Sequence, residues 1–398
     1  MSSRVVKARA KGSAHTAGPA GARLRVLHLH SSFNPGGKEV RAVQLINAFG
    51  PAVDHFIVSA IPEALGAADL IAPGISFTTQ VAYPALQGRP SPARLEALAR
   101  AMLGYDLVLT YNFGAMDAVM AHTLFAKVHD LPPLVHHEDG FNQDEAVKLS
   151  RLRNWYRRIG LGRAQALVVP SQRLEQIALK AWHQPRWRVH RVPNGIDTAA
   201  YAHKPKPDVL PRVIKRPGEM WLGTLAGLRP VKNLPLLVRA FAGLPEEWQL
   251  VILGEGPERE AIRDEALRLD IAHRLHMPGF IANPGRVVGL FDLFALSSDS
   301  EQFPISVVEA MAAGLAVAST AVGDVPAMLS AENQPFMVPV GDEAALAAAL
   351  GALAGDAALR ASVGAANRAR ARAEYDEATM VATYRGIYAQ AMGRSQFP

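Results

Sequence analysis

Two series of short apolar runs, each run followed by a helical stretch, fill this chain, and a segment rich in proline and lysine separates them. The first series opens with RLRVLHLHSSFNPGGKEVRAVQLINAFG. Leu24 to His30 reads as a strand and Asn34-Pro35-Gly36-Gly37 as a tight loop, after which Val40, Val43, Ile46 and Phe49 recur at helical spacing. The unit is strand, glycine loop, helix. It repeats through HFIVSA, DLVLTY, PPLVHH and ALVVPS, with helices between them, among them Pro92 to Met102 and Ala115 to Ala126. Strands that alternate with helices pair in parallel and are covered on both faces, so their sequences are continuously apolar.

After RVHRVPNGIDTAAY the texture changes. His203 to Gly218 carries proline and lysine with little periodicity and reads as a linker and candidate hinge. The alternation then restarts through EMWLGTLAGL, WQLVILG, RLHMPGF, LFDLFALS and AVAST, with helices from Asn233, Pro257 and Pro304. At 398 residues the chain exceeds one typical core. The expected organisation is a flexible basic tail over 1–23, an α/β domain over 24–200, a linker over 201–218, a second α/β domain over 219–375 and a final helix over 376–398. The alanine-rich stretch from Asp342 reads as packed helix. The last helix carries Met380, Tyr384, Ile387 and Tyr388 along one side, continued by Met392, and is expected to cross back toward the first domain. In doubly wound domains ligands bind at the C-terminal ends of the strands.

Cysteine is absent, which excludes disulfides, thiolate catalysis and cysteine metal sites and suits a reducing cytoplasm. The formal charge of +6 favours anionic partners. No run is long and apolar enough to read as a membrane span, and the first residues lack the apolar core of a signal peptide. The expected location is the cytoplasm, with peripheral contact at the inner face of the membrane.

Chemistry concentrates in SEQFPISVVEAMAAGLAVAST. Pro304 suits the first turn of a helix, which places Glu301 beside the helix start and Glu309 inside it. The amides of Ile305, Ser306 and Val307 then form an anion site, and each carboxylate can accept two hydroxyls of a diol. The plainer alternative makes Glu301 a cap and Glu309 a solvent-facing residue. In LAGLRPVKNLPLLVRAF, Arg229 and Lys232 follow a strand end, where two cations can neutralise a diphosphate leaving group. In LVILGEGPERE, Gly254 and Gly256 permit close backbone approach by a ligand.

These residues, in this order, resemble the donor-binding domain of the retaining glycosyltransferases of family four, and NPGGKEVRAVQLINAF and VPNGID are similar to that family's N-terminal glycine loop and domain end. The resemblance runs from about Arg23 to the last helix. It implies an α/β fold of the GT-B type, two Rossmann-like doubly wound domains facing a central cleft. It implies that Glu309 binds ribose hydroxyls, that Glu301 with Phe303, Pro304 and Ile305 binds the transferred sugar, that Arg229, Lys232 and Gly37 hold the diphosphate, and that Gly254 and Gly256 border the nucleotide. No cofactor and no metal are expected, since no two aspartates are separated by a single residue. The sequence departs from the family at Gln302, where glycine is usual, and at Asp324 and Ala327.

A further departure lies in PPLVHHEDGFNQDEAV. Relatives with a His-x-Glu-His-Gly pattern place the second histidine near the reacting carbon. Here Asp139 takes that place, and His137 is the alternative if it rotates in, so both are candidate catalytic residues. A buried histidine capped by a neighbouring carboxylate is the structural alternative. KLSRLRNWYRRIGLGRA carries Lys148, Arg151, Arg153, Arg157, Arg158 and Arg163 and no acid. Its apolar stripe Leu149, Leu152, Tyr156 and Ile159 is expected in the core, with the arginines outside. The competing reading is a basic surface that meets anionic lipid or a lipid-diphosphate acceptor. The expected partners are a nucleotide-sugar donor and a glycan or lipid-linked acceptor, and no nucleic-acid module is present. The leading functional expectation is a retaining, metal-independent hexosyltransferase of envelope or exopolysaccharide assembly, lipopolysaccharide included. A nucleotide-sugar hydrolase or epimerase on the same fold, and a degenerate binding subunit, are the alternatives.

Overall fold

A computed structural model describes residues 23–140 and 150–398. The expected flexible tail lies almost wholly outside these residues, as do Lys148 and Leu149. The first half contains β1 (Leu24–His30), α1 (Gly37–Phe49), β2 (Val53–Ser59), β3 (Ser76–Thr78), α2 (Pro92–Arg100), β4 (Leu107–Tyr111), α3 (Met116–His129), β5 (Leu134–His137), α4 (Arg151–Gly160), β6 (Ala166–Val169), α5 (Gln172–Lys180) and β7 (Val189–Arg191). Its strands form one parallel sheet in the order β3-β2-β1-β4-β5-β6-β7. The central strand β4 is buried along its whole length, as a strand covered by helices on both faces must be.

The second half contains β8 (Met220–Leu225), α6 (Leu234–Phe241), β9 (Trp248–Leu253), α7 (Arg259–Arg268), β10 (Leu275–Gly279), β11 (Leu293–Leu296), α8 (Ile305–Ala312), β12 (Val317–Thr320), α9 (Val325–Met328), β13 (Met337–Val338), α10 (Glu343–Gly355), α11 (Ala357–Glu374) and α12 (Glu377–Ala391). Its sheet is also parallel, in the order β10-β9-β8-β11-β12-β13. The strand order reverses between β1 and β4 in the first sheet and between β8 and β11 in the second. Crevices open beyond the strand ends at such points.

The last helix does not stay with its neighbours in sequence. Met380, Tyr384, Ile387 and Tyr388 pack into the first core with Val26, Leu109 and Val135. Phe397 adds an edge contact to Phe49, with ring centroids 4.9 Å apart. The chain therefore passes between the halves twice, and the two passages run side by side. The Ile196 amide donates to Tyr375 O at 3.0 Å and the Glu377 amide to Ile196 O at 2.9 Å.

The segment 203–218 is not a free linker. Leu210 is buried in the second core, with Val209 and Val213 packed against it. Lys215 Nζ donates to Leu290 O at 2.6 Å and to Asp292 at 2.5 Å. This strap belongs to the second half, so any hinge lies at the paired passages. Among the described residues no single helix is long and apolar enough to cross a membrane.

Candidate active site

Both reversal points carry the residues singled out in the sequence, and they face each other. The loop after β8 presents Arg229 and Lys232, and the loop after β11 presents Ser298 and Glu301. Two hydrogen bonds knit the loops: the Asp299 amide donates to Val231 O at 2.9 Å, and the Ser297 hydroxyl to Lys232 O at 2.9 Å. Lys232 Nζ pairs with Glu301 Oε1, which also accepts from Ser298 Oγ at 2.8 Å. Arg229 is exposed and forms no ion pair among the described residues.

Pro304 caps α8 from outside instead of occupying its first turn, so Ile305 is the first helical residue. The Val307 amide donates to Pro304 O at 3.1 Å, so it is not part of the expected anion site. The amides of Ile305 and Ser306 remain without a protein acceptor among the described residues. Phe303 packs edge-on against Tyr375, centroids 5.7 Å apart. Across the cleft, a Cβ built on Gly37 would stand 4.0 Å from Ile305 Cδ1, and one on Gly140 3.5 Å from Gln302 Cγ. The glycine loop and the loop after β5 thus oppose the start of α8.

Glu309 does not face solvent. It keeps 9% of its surface exposed and accepts from the Tyr201 hydroxyl at 2.9 Å. Burial lifts its carboxyl from an ordinary 4.5 to about 7, and the bond from Tyr201 works in the opposite direction.

Gly254 and Gly256 serve a different purpose from the one expected. A Cβ on Gly254 would fall 1.8 Å from Ala226 O, and one on Gly256 2.4 Å from Leu228 O. The backbone that approaches them is the neighbouring loop. Leu228 N donates to Glu255 O at 3.0 Å and Glu258 N to Leu228 O at 3.0 Å. The two glycines hold the loop that carries Arg229.

His137 does not reach the cleft. It is 1% exposed, with Nδ1 at 3.2 Å from Thr110 O and Nε2 at 2.9 Å from the Tyr388 hydroxyl. Its ring stacks on Tyr111, and burial holds its pKa well below the ordinary range. Rotation into the cleft would break both bonds, so the structure places His137 in the core and not at the expected catalytic position. Asp139 lies at the end of the same strand, and Arg41 binds both of its oxygens. Arg41 also donates to Asn194 Oδ1 at 3.0 Å. Burial opposes the Arg41 charge, but Asp139 outweighs that and raises its pKa.

Sequence reasoning missed Arg41, Asn194 and Tyr201. The expected stripe of α1 holds at Val43, Ile46 and Phe49, which are buried, but its first member Val40 is 37% exposed and Arg41, off the stripe, is 2% exposed. An arginine followed by Ala42 and Val43 on a core-facing helix was the available signal. Asp324, noted as a departure, binds across the cleft. Its carboxylate accepts from the Gln172 amide at 2.5 Å and the Arg173 amide at 3.3 Å, at the start of α5.

Comparison with known proteins agrees with this geometry. Residues 35–200 match the family described as Glycosyltransferase Family 4, and residues 212–370 match Glycosyl transferases group 1. The chain is 26% identical over 310 residues to the protein named as glycosyltransferase EpsF of Bacillus subtilis, covering 73% of this chain and 77% of that one. It is 30% identical over 244 residues to D-inositol 3-phosphate glycosyltransferase of Xylanimonas cellulosilytica, 58% of each chain. Among solved structures, HepE of Anabaena in complex with UDP superimposes with a TM-score of 0.76 at 19% identity, over 92% of this chain and all of that one. The fold is the two-domain GT-B type. The chain belongs to glycosyltransferase family four.

Proposed function

We propose that this glycosyltransferase moves a hexose from a nucleoside-diphosphate sugar to a glycan or lipid-linked acceptor in cell-envelope or exopolysaccharide assembly, with retention of configuration and without a metal. The Lys232–Glu301 pair at the second reversal point carries the reading. It sets a cation and a hydroxyl acceptor side by side, with the free amides of α8 and the buried Glu309 on the same helix.

In this reading Arg229 and Lys232 take the charge that builds on the departing diphosphate, helped by the Ile305 and Ser306 amides. Donor binding gives Lys232 a phosphate partner and leaves Glu301 to accept sugar hydroxyls. Glu309 accepts the ribose diol, with Tyr201 fixing its orientation. Structural neighbours that bind UDP and UDP-glucose support a nucleotide-sugar donor. Relatives named for colanic acid biosynthesis support the pathway class. The enzyme then works at the cytoplasmic side, in peripheral contact with the membrane that holds the acceptor.

Asp139 enters as an oriented dipole with Arg41, facing the cleft beside Gly140. A carboxylate held in this way is a weak general base, which favours a second reading, a donor-binding subunit that does not catalyse.

Thermal unfolding against UDP-, GDP- and ADP-sugars tests the first step. One nucleotide class at about 100-fold excess over its dissociation constant is expected to stabilise the protein by about 2.7 kcal/mol. Glu309→Ala is expected to lose that shift. No shift with any nucleotide sugar would remove the reading. A shift without a glycosylated product from any acceptor would move the second reading ahead.

A further inference from the structure

α4 meets the expectation drawn from its sequence only at Tyr156, which packs against the core of the first half. Leu152 is 75% exposed, Trp155 59% and Ile159 37%, while Arg157 is 1% exposed. These three apolar residues recur at helical spacing and share one face. Arg151 and Arg158 stand on the same face and Arg163 follows just beyond the helix end, all three exposed and none in an ion pair among the described residues. No acid occurs from Lys148 to Ala164. The loop that follows α5 lies alongside: Trp182 Nε1 donates to Asn154 Oδ1 at 2.9 Å, and Arg188 Nη2 to Gly162 O at 3.0 Å. That loop adds Trp187, 65% exposed, and the exposed Arg186.

The helix is anchored through Arg157. Arg157 Nε donates to Glu138 Oε2 at 2.9 Å, and its guanidinium lies over Phe113 at 4.8 Å and Trp182 at 5.1 Å. Glu138 is wholly buried and adjoins Asp139. The exposed face is therefore tied to the loop that borders the cleft.

We propose that this face of α4, with Trp187, docks on the surface of an anionic lipid bilayer. Leucine, isoleucine and tryptophan enter the boundary between headgroups and acyl chains, and arginines beside them meet lipid phosphates. Charge selects this occupant over two others. The first 25 residues contain arginine and lysine but no acid, so the chain's own tail is repelled. A second copy docked on the same face would set arginines against arginines. The inference deepens the reading of a lipid-linked acceptor and rests on it for its purpose, but docking is measured without any transfer.

The test is co-sedimentation of the full chain with phosphatidylcholine vesicles, with and without phosphatidylglycerol. The protein is expected to partition onto the anionic vesicles only. Leu152→Ser with Trp155→Ser is expected to weaken partition by about tenfold or more. Arg151→Glu with Arg158→Glu is expected to do the same, and added salt to weaken the parent further. Acrylamide quenching of the exposed tryptophans is expected to fall on anionic vesicles. Equal binding to both vesicle types, or none, overturns the proposal. So does binding that survives both double variants and disappears when residues 1–22 are removed. So does a dimer that the apolar variant converts to monomer with vesicle binding unchanged. Nucleotide-sugar thermal shifts on the same variants separate the two readings, since loss of those shifts in the parent would fail the transferase reading and leave the vesicle result standing.

Discussion

Arg41 grips both carboxylate oxygens of Asp139 and, through the same guanidinium, Asn194 at the first passage between the halves. One side chain on α1 thus orients the loop beside the cleft and the segment after β7 that leads out of the domain. Removing one partner of a buried pair costs far more than the pair itself contributes. Arg41→Met is expected to destabilise the protein by about 3 kcal/mol, and Arg41→Met with Asp139→Asn by clearly less than the sum of the single changes. Chemical denaturation of the parent, both single variants and the double variant checks this.

Glu309 predicts a pH dependence with a definite sign. Its carboxyl titrates near 7 in the folded protein against 4.5 in an open chain. Between these values the folded state holds a proton that the unfolded chain has released. The stability this group contributes is full below 4.5 and is lost as pH rises through about 7. The loss amounts to about 3 kcal/mol. Glu309→Gln is expected to flatten that part of the stability profile. Tyr201→Phe removes a bond that favours the carboxylate and is expected to move the profile to higher pH. Urea unfolding across the range measures both.

Lys232 and Arg229 are predicted to act on the leaving group. Lys232→Ala is expected to lower kcat by roughly a hundredfold or more, with a smaller effect on KM, because the charge it meets grows in the transition state. Steady-state kinetics with the donor found by thermal shift decides the case. A rise in KM alone would assign Lys232 to ground-state binding.

Asp324 caps α5 from the opposite half. Asp324→Ala is expected to cost about 1 kcal/mol, the usual value of a helix N-cap, and to open the cleft. Small-angle scattering would register a larger radius of gyration in the ligand-free variant. An unchanged radius would mean that the carboxylate stabilises α5 without holding the halves together.

Gly195 lies where the two passages touch. A Cβ there would meet Asp376 O at 2.9 Å and Glu377 Cα at 3.0 Å, both backbone. Gly195→Ala is expected to cost about 1–3 kcal/mol and to alter the closure of the two halves. Melting temperature and scattering profile together test it.

Much of the architecture was legible because parallel strands covered on both faces are written as continuous apolar runs, as in ALVV and LFAL. The placement of Glu301, Glu309, Arg229 and Lys232 at strand ends and a helix start was equally legible, since loop glycines and prolines mark those positions. The orientation of charged residues was not. Periodicity assigns arginine to solvent, yet Arg41 and Arg157 are buried because Asp139 and Glu138 meet them there. The same blindness sent Leu152 inward, since nothing local records that Arg157 claims the core. His137 is fixed by Tyr388, 251 positions away. Gly254 and Gly256 were read correctly as close approaches, but the partner is the loop at Ala226–Leu228, which a strand-end motif does not name.

The return of α12 to the first core makes the second half an insertion within the first. A ribosome finishes both sheets before it makes Met380, Tyr384 and Tyr388, so the half that is begun first is completed last. Until those residues emerge, the core that Val26, Leu109 and Val135 share with α1 lacks part of its cover, and the nascent chain carries an unfinished surface through the synthesis of an entire second domain.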